Sequence, residues 1–198
     1  QGKRNIYVAE APDFKARRLT SYMNEDGQEL SGLQFSSDAN TIVFTRGEGK
    51  NKSGQSPNPT SNPAGAEQAV YRIGWSGGEP EKIDAGQAPQ VSSKGVCAYV
   101  KDGALWLATL GASEKPLQLM IRGTNVQQLW SADGSILYYT PIGMNPIIRN
   151  TIRARRFSAD SSGAEGEPIA VYSSAEMVMP AYLPGTTPVA TPDEIYMI

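Results

Sequence analysis

The chain has 198 residues, of which 39% are hydrophobic and 19% charged, with a net charge near −2. That length suffices for one large β domain or two small ones with a substantial core. The charge gives no general case for a nucleic-acid or acidic-membrane partner, and the absence of a long apolar run excludes a transmembrane helix.

Read in chain order, short alternating runs bounded by Gly, Pro, Asn and Ser predict strands throughout, with little helical periodicity. The first is Asn5-Ile6-Tyr7-Val8, followed by Arg18-Leu19-Thr20. A distinctive phrase comes next, LQFSSDANTIVFTR at 33–46, in which a Ser-x-Asp turn leads into a strand rich in β-branched and aromatic residues. The stretch 47–68 clusters Gly, Ser, Asn and Pro, contains no apolar run, and reads as a flexible inter-blade loop. Strands Ala69-Val70-Tyr71-Arg72-Ile73 and Lys82-Ile83 lead to a degenerate copy of the phrase, PQVSSKGVCAYV at 89–100. Ala104-Leu105-Trp106-Leu107 and Gln118-Leu119 precede the second full copy, LWSADGSILYYT at 129–140. Ile152-Arg153-Ala154-Arg155-Arg156-Phe157 starts a weaker unit, and Glu194-Ile195-Tyr196-Met197-Ile198 looks like the first strand of another.

Recurrence at tens of residues marks a repeat architecture, because one unit cannot bury its apolar face alone. Four antiparallel strands per unit is the blade of a β-propeller. The expected fold is all-β: a single, incomplete propeller region of about four blades, at 4–47, 68–103, 104–142 and 147–194, with a further blade starting at 194–198. The chain begins at Gln1 without Met and without a charged-then-apolar leader, which reads as a processed or trimmed chain from which any export signal would already be gone.

With the repeats laid out, a family resemblance emerges. The segments NIYVAEAPDFKARRLTSY, DGQELSGLQFSSDANTIVFTRG, SPNPTSNPAG, VYRIGWSGGEPEKI and IRGTNVQQLWSADGSILYYT resemble the N-terminal propeller of bacterial prolyl oligopeptidase-family serine peptidases, including the dipeptidyl-peptidase-IV-like branch. The repeats are also similar to those of the TolB periplasmic propeller, which share the Leu-Thr … Ser-x-Asp-Gly pattern. The peptidase-like match covers residues 2 to 140. It implies that the chemistry resides in a separate C-terminal α/β-hydrolase domain with a Gly-x-Ser-x-Gly elbow, an Asp and a His. This chain is read as carrying no such elbow, and it contains no histidine. In the dipeptidyl-peptidase branch a Glu pair grips the substrate amine; Glu165 and Glu167 echo it only loosely and are read as turn residues.

The candidate positions are structural. Tyr7, Tyr71, Trp106 and Tyr196 recur at matched strand positions and are expected in the inter-blade core, as are Phe35 and Trp130. Asp38 and Asp133 are expected to cap their own turns rather than bind metal, and Asp102 and Asp193 likewise. Arg149, Arg153, Arg155 and Arg156 form a basic cluster, with Arg153 and Arg155 on one face of a strand, read as a solvated face or salt-bridge partners. The one cysteine, Cys97, excludes an internal disulfide and a cysteine-rich metal site and reads as a buried structural thiol. Without an imidazole the chain cannot assemble a Ser-His-Asp or Cys-His system, so no catalytic, metal or cofactor residue is assigned.

Two functions are expected. The first is a non-catalytic propeller region of a secreted or periplasmic serine peptidase, partnered by the hydrolase domain and meeting peptide substrate. The second is a TolB-like protein-binding propeller with no enzymatic partner domain. Neither involves nucleic acid or membrane insertion.

Overall fold

A computed structural model describes residues 4–23, 28–47, 68–112, 116–120, 125–142, 151–158 and 164–173. These residues form no helix. A hairpin pairs β1 (Tyr7–Val8) with β2 (Arg17–Arg18). A four-stranded sheet follows, ordered β3 (Leu30–Phe35), β4 (Thr41–Arg46), β5 (Ala69–Gly74) and β6 (Glu81–Ala85). The next sheet is β7 (Gln87–Val91), β8 (Val96–Lys101), β9 (Ala104–Thr109) and β10 (Leu117–Met120). The last is β11 (Asn125–Trp130), β12 (Ile136–Ile142), β13 (Thr151–Phe157) and β14 (Ala164–Ser173). Each sheet keeps sequence order, so each is an up-and-down meander of four antiparallel strands, which is a propeller blade. The chain divides into two compact units, Gln1–Pro89 and Gln90–Ile198, with the division inside β7.

The sheets are out of phase with the blade limits expected from the sequence. Those limits (4–47, 68–103, 104–142, 147–194) each begin two strands too early, grouping for example β5 and β6 with β7 and β8. The structure instead pairs β4 with β5 over six residues, from Thr41↔Gly74 to Arg46↔Ala69. The stretch 47–68 therefore joins two strands of one sheet rather than two blades, and its conformation lies outside the described residues apart from Gly47 and Gln68. The true change of sheet, between β6 and β7, takes only Gly86, whose φ of 139° suits a glycine. Loop length misleads here because a periodic sequence fixes the order of strands but not where each sheet starts. The expected unit at 147–194 is described only as far as β14, and the start of a further blade at 194–198 lies outside the described residues.

The second strand of each sheet explains the aliphatic-aromatic half of the repeated phrase. Ile42, Val43, Phe44 and Thr45 of β4 are all buried, as are Val96 to Val100 of β8 and Ile136 to Thr140 of β12. A strand covered on both faces needs a continuous apolar run rather than alternation. In the first unit Ile42 and Phe44 join Ile6, Val8, Leu19 and Ile73 in one core. In the second unit Leu137 and Tyr139 face a core with Val96, Ala98, Leu105, Trp130 and Phe157, while Ile136 and Tyr138 face another with Leu129 and Ile152.

Thr45 and Thr140 occupy the same place in β4 and β12, and both hydroxyls are buried with no hydrogen-bond partner among the described residues. The equivalent residue of β8 is Val100, so the position accepts an isostere without a hydroxyl. We therefore expect Thr45→Val and Thr140→Val to leave stability unchanged or raise it by up to about 1 kcal/mol. Leu137→Ala, which hollows the second unit's core, should lower it by roughly 2–5 kcal/mol, all three variants being measured by urea titration.

Candidate functional site

The Ser-x-Asp phrase is the turn between the first and second strands of a sheet. In the copy at 33–46, Ser36 Oγ accepts the N–H of Thr41 at 3.0 Å and donates to Asp38 Oδ1, which in turn accepts the N–H of Asn40 at 3.0 Å. The copy at 129–140 repeats this: Ser131 Oγ accepts from Ile136 N at 2.9 Å and donates to Asp133 Oδ1 at 2.6 Å, and Asp133 accepts from Ser135 N at 3.0 Å. Degenerate though it is, the copy at 89–100 keeps the serine bond, Ser92 Oγ accepting from Val96 N at 3.0 Å, but its turn is one residue shorter. There is no extra backbone N–H to satisfy, and Lys94 stands where the longer turns carry Asp. The serine closes the hairpin, and the aspartate serves the additional residue.

Hydrogen bonds to Ser131 and Ser135 hold the Asp133 carboxyl down to about 2, with Lys94 adding a smaller electrostatic pull. Ser36 and Asn40 lower that of Asp38 in the same way. The left-handed residue of these turns is Ala39 (φ 55°) in one copy and Gly134 (φ 67°) in the other. Asp102 and Gly103 form the two-residue loop between β8 and β9 with φ of 51° and 70°, the type I′ pattern that matches strand twist. Among the described residues, no group of three or more His, Cys, Asp or Glu side chains gathers as for a metal ion.

The aromatic positions divide. Trp130 is 4% exposed, packs edge-on against Phe157 at 4.9 Å, and donates its Nε1–H to Gln90 O at 3.1 Å. Tyr71 is half-buried and stacks on Phe44 at 5.8 Å, and Trp106 is half-buried beneath the Lys101 ammonium at 5.0 Å. Two expectations of burial fail: Tyr7 is 60% exposed and Phe35 is 54% exposed. Among the described residues, Tyr7 lies in a hairpin with no second-strand aromatic across from it, whereas Phe35 closes the mostly exposed β3 and meets the Trp75 ring at 5.9 Å. Tyr196, Arg149 and Asp193 lie outside the described residues.

On β13, Arg153 and Arg156 are exposed and Arg155 is half-buried, its Nη1 donating to Leu119 O at 3.5 Å. Glu165 and Glu167 lie within β14 and not in a turn; Gly166 (φ 64°) and a register shift opposite let the strand continue. Cys97 is buried, and desolvation pushes its thiol up to about 12, far from nucleophilic use.

The Gly-x-Ser-x-Gly letters do occur, as Gly74-Trp75-Ser76-Gly77-Gly78, contrary to the reading of the sequence. They form the link between β5 and β6, closed by Gly77 N donating to Gly74 O at 2.9 Å. A nucleophile elbow needs a strand-to-helix turn and an imidazole base, and this one runs strand to strand in a chain without histidine.

An open cavity of about 520 Å³ lies beside this turn. Its wall is the β1–β2 connection, with Ala9, Glu10, Ala11, Asp13 and Lys15, together with Arg17 and Trp75. Arg17 ties the two segments together, donating from Nη2 to Trp75 O and from Nη1 to Ser76 O at 3.5 Å, with its guanidinium 5.7 Å from the Trp75 ring centre. The cavity's lining offers an aromatic face and charges of both signs. The sequence does not single out Arg17 or Trp75, because neither belongs to a motif whose spacing points to a site.

Ser131→Ala should cost about 1–3 kcal/mol, because the buried Ile136 N–H loses its acceptor. Ala39→Gly relieves a left-handed alanine and should add roughly 0.5–1 kcal/mol. Gly134→Ala should destabilise, since an added Cβ meets Ser93 Oγ at 2.7 Å and Lys94 N at 3.3 Å. The folded-state pKa of Asp133 lies below its ordinary value of 3.8, so its stabilisation is complete above that pH and is lost as pH falls through about 2. Asp133→Asn should therefore flatten the fall of the urea midpoint between those limits.

No family model and no curated protein matches the sequence. Among solved structures, the chain is similar to TolB from Acinetobacter baumannii, with a TM-score of 0.52 and 14% identity over 89% of this chain and 40% of that one. It is also similar to an oligogalacturonate lyase in complex with manganese, with a TM-score of 0.54 and 14% identity over 90% of this chain and 49% of that one. The chain thus spans less than half the length of either. The likeness carries the architecture alone: the sheets are β-propeller blades of the kind found in TolB and oligogalacturonate lyase.

Proposed function

We propose that the chain is the non-catalytic propeller region of a periplasmic or secreted prolyl oligopeptidase-family serine peptidase, gating peptide access to a separate α/β-hydrolase domain. One observation carries this reading. Two segments of the sequence resemblance far apart in the chain, the one holding Ala9-Glu10-Ala11-Pro12 and the one holding Trp75, meet at the cavity described above. A pocket walled by the most family-like residues is where a substrate-facing surface is expected. The missing imidazole supports the division of labour, since a Ser-His-Asp system needs a histidine that this chain does not contain. A second reading, a TolB-like periplasmic propeller that docks another protein, is favoured by the structural likeness to TolB over 89% of the chain.

The reading frame beyond Ile198 separates the two. The peptidase reading expects a Gly-x-Ser-x-Gly segment followed by Asp and His, and a stop codon shortly after Ile198 would overturn it in favour of the binding module. In the longer protein, deletion of residues 1–198 should widen the accepted substrates from short peptides to long polypeptides; an unchanged size limit sinks the gating role. The 198-residue chain alone should neither cleave a dipeptide chromogenic substrate nor react with a fluorophosphonate probe.

A further inference from the structure

The arginines of β13 do not behave as the solvated face or the salt-bridge partners that the sequence suggests. Arg153 and Arg155 share the face of the sheet that carries Tyr139 and Leu137, because Tyr139↔Arg153 and Leu137↔Arg155 are direct cross-strand pairs. Arg155 is half-buried there. Its Nη1 donates to Leu119 O of β10 at 3.5 Å, the outer limit of a hydrogen bond, and its buried Nε has no hydrogen-bond partner among the described residues. Among those residues Arg153, Arg155 and Arg156 form no ion pair. A partly desolvated guanidinium with an orphan donor and no counter-charge is costly to hold, and such a group calls for an acceptor. Tyr139, buried across from Arg153, lies within electrostatic reach of the same charges: desolvation pushes its phenol up, Arg153 and then Arg155 pull it down, and Glu167 of β14 pushes it up. Glu167 is exposed, in the bulge where residues 166–168 stand opposite Arg155 alone. Two arginines against this one carboxylate leave a positive charge uncompensated. The connections that leave this end of the sheet, 121–124 and 143–150, add Arg122 and Arg149 to the sequence and no Asp or Glu.

We propose that Arg155 and Arg153 form a binding site for the carboxylate group of a small ligand, gripped side-on by Arg155 and contacted by Arg153. With Nη1 turned to Leu119 O, the Nε–Nη2 edge of Arg155 is left, and its two parallel N–H groups match the two oxygens of a carboxylate. One long bond holds the guanidinium among the described residues, so a small outward turn brings that edge to the ligand and gives Nε its acceptor. A single uncompensated positive charge suits a monoanionic carboxylate better than a phosphate dianion. Tyr139 stays a neutral phenol near neutral pH and adds no charge that would repel the ligand. The site lies wholly within the second unit and is independent of the peptidase reading.

The test is a titration of the isotope-labelled 198-residue chain with sodium acetate, followed through the arginine Nε–H resonances. Sodium chloride is exchanged for acetate so that ionic strength, and hence general screening, stays constant. The Arg155 resonance should shift saturably with a Kd in the millimolar range, the scale open to so small a ligand, and its proton should exchange with water about tenfold more slowly. Phosphate should bind more weakly than acetate. Arg153→Gln and Arg155→Gln should each weaken acetate binding by about tenfold or more. Arg153 is exposed, so Arg153→Gln should keep the circular dichroism of the parent and carries the test even where Arg155→Gln fails to fold. Glu167→Gln removes the nearby like charge and should tighten binding. A shift that rises linearly without saturation, or one that Arg153→Gln leaves unchanged, marks an adventitious ion only and overturns the proposal. Phosphate binding as tightly as acetate overturns the assignment to a carboxylate. If Glu167→Gln speeds exchange of the Arg155 Nε proton before any acetate is added, Glu167 is itself the occupant, and the proposal falls.

Discussion

The bond that the first N–H of a second strand donates to a serine hydroxyl oxygen governs this structure. It recurs at Ser36, Ser92 and Ser131. At each place a strand must reverse direct into the most buried strand of its sheet, and the N–H at that corner is buried at Ser92 and Ser131 and partly buried at Ser36. Satisfying it with a side chain one turn back frees the following residues to be wholly apolar. The burial of β4, β8 and β12 on both faces depends on corners that leave no orphan donor. The aspartate is subordinate to this arrangement. It occurs only where the turn has one residue more, and its low pKa records the hydroxyl and amide donors converging on it rather than any reactive role.

This hierarchy explains what the sequence disclosed and what it concealed. Strand identity was legible because second strands are continuous apolar runs and turns carry Gly, Asp and Asn. Blade phase was not. A long polar stretch at 47–68 looks like a boundary, yet β4 and β5 pair across it, while the real change of sheet at Gly86 has no room for a loop signal. Loop length reflects solvent access, whereas pairing reflects register and shared burial, and only the second defines a sheet.

The aromatic positions show the same limit at the scale of single residues. Tyr7, Tyr71 and Trp106 are equivalent in the repeat, but burial depends on the neighbour supplied by the adjacent strand. Phe44 covers Tyr71, and among the described residues no ring lies across from Tyr7. Phe35 and Trp130 precede the same turn, yet Trp130 finds Phe157 and a carbonyl for its indole N–H while Phe35 meets Trp75 on an exposed strand. Repeat position fixes the direction of a side chain, and the partner decides whether that direction leads inward.

The candidate site follows from that rule as well. Gly74-Trp75-Ser76-Gly77-Gly78 has the letters of a nucleophile elbow, but letters acquire chemistry only from what surrounds them. Here the run reverses one strand into another, Trp75 and Ser76 give their carbonyls to Arg17, and the indole becomes a wall of a cavity. A serine placed this way lacks a base to take its proton and a helix N-terminus to receive an oxyanion. The arrangement brings together an aromatic face, an arginine that holds two segments together, and the carboxylates of Glu10 and Asp13. A blade that positions such a surface without a reactive group makes physical sense where binding and bond-breaking are assigned to different parts of a protein, because each part can then be rigid for its own task.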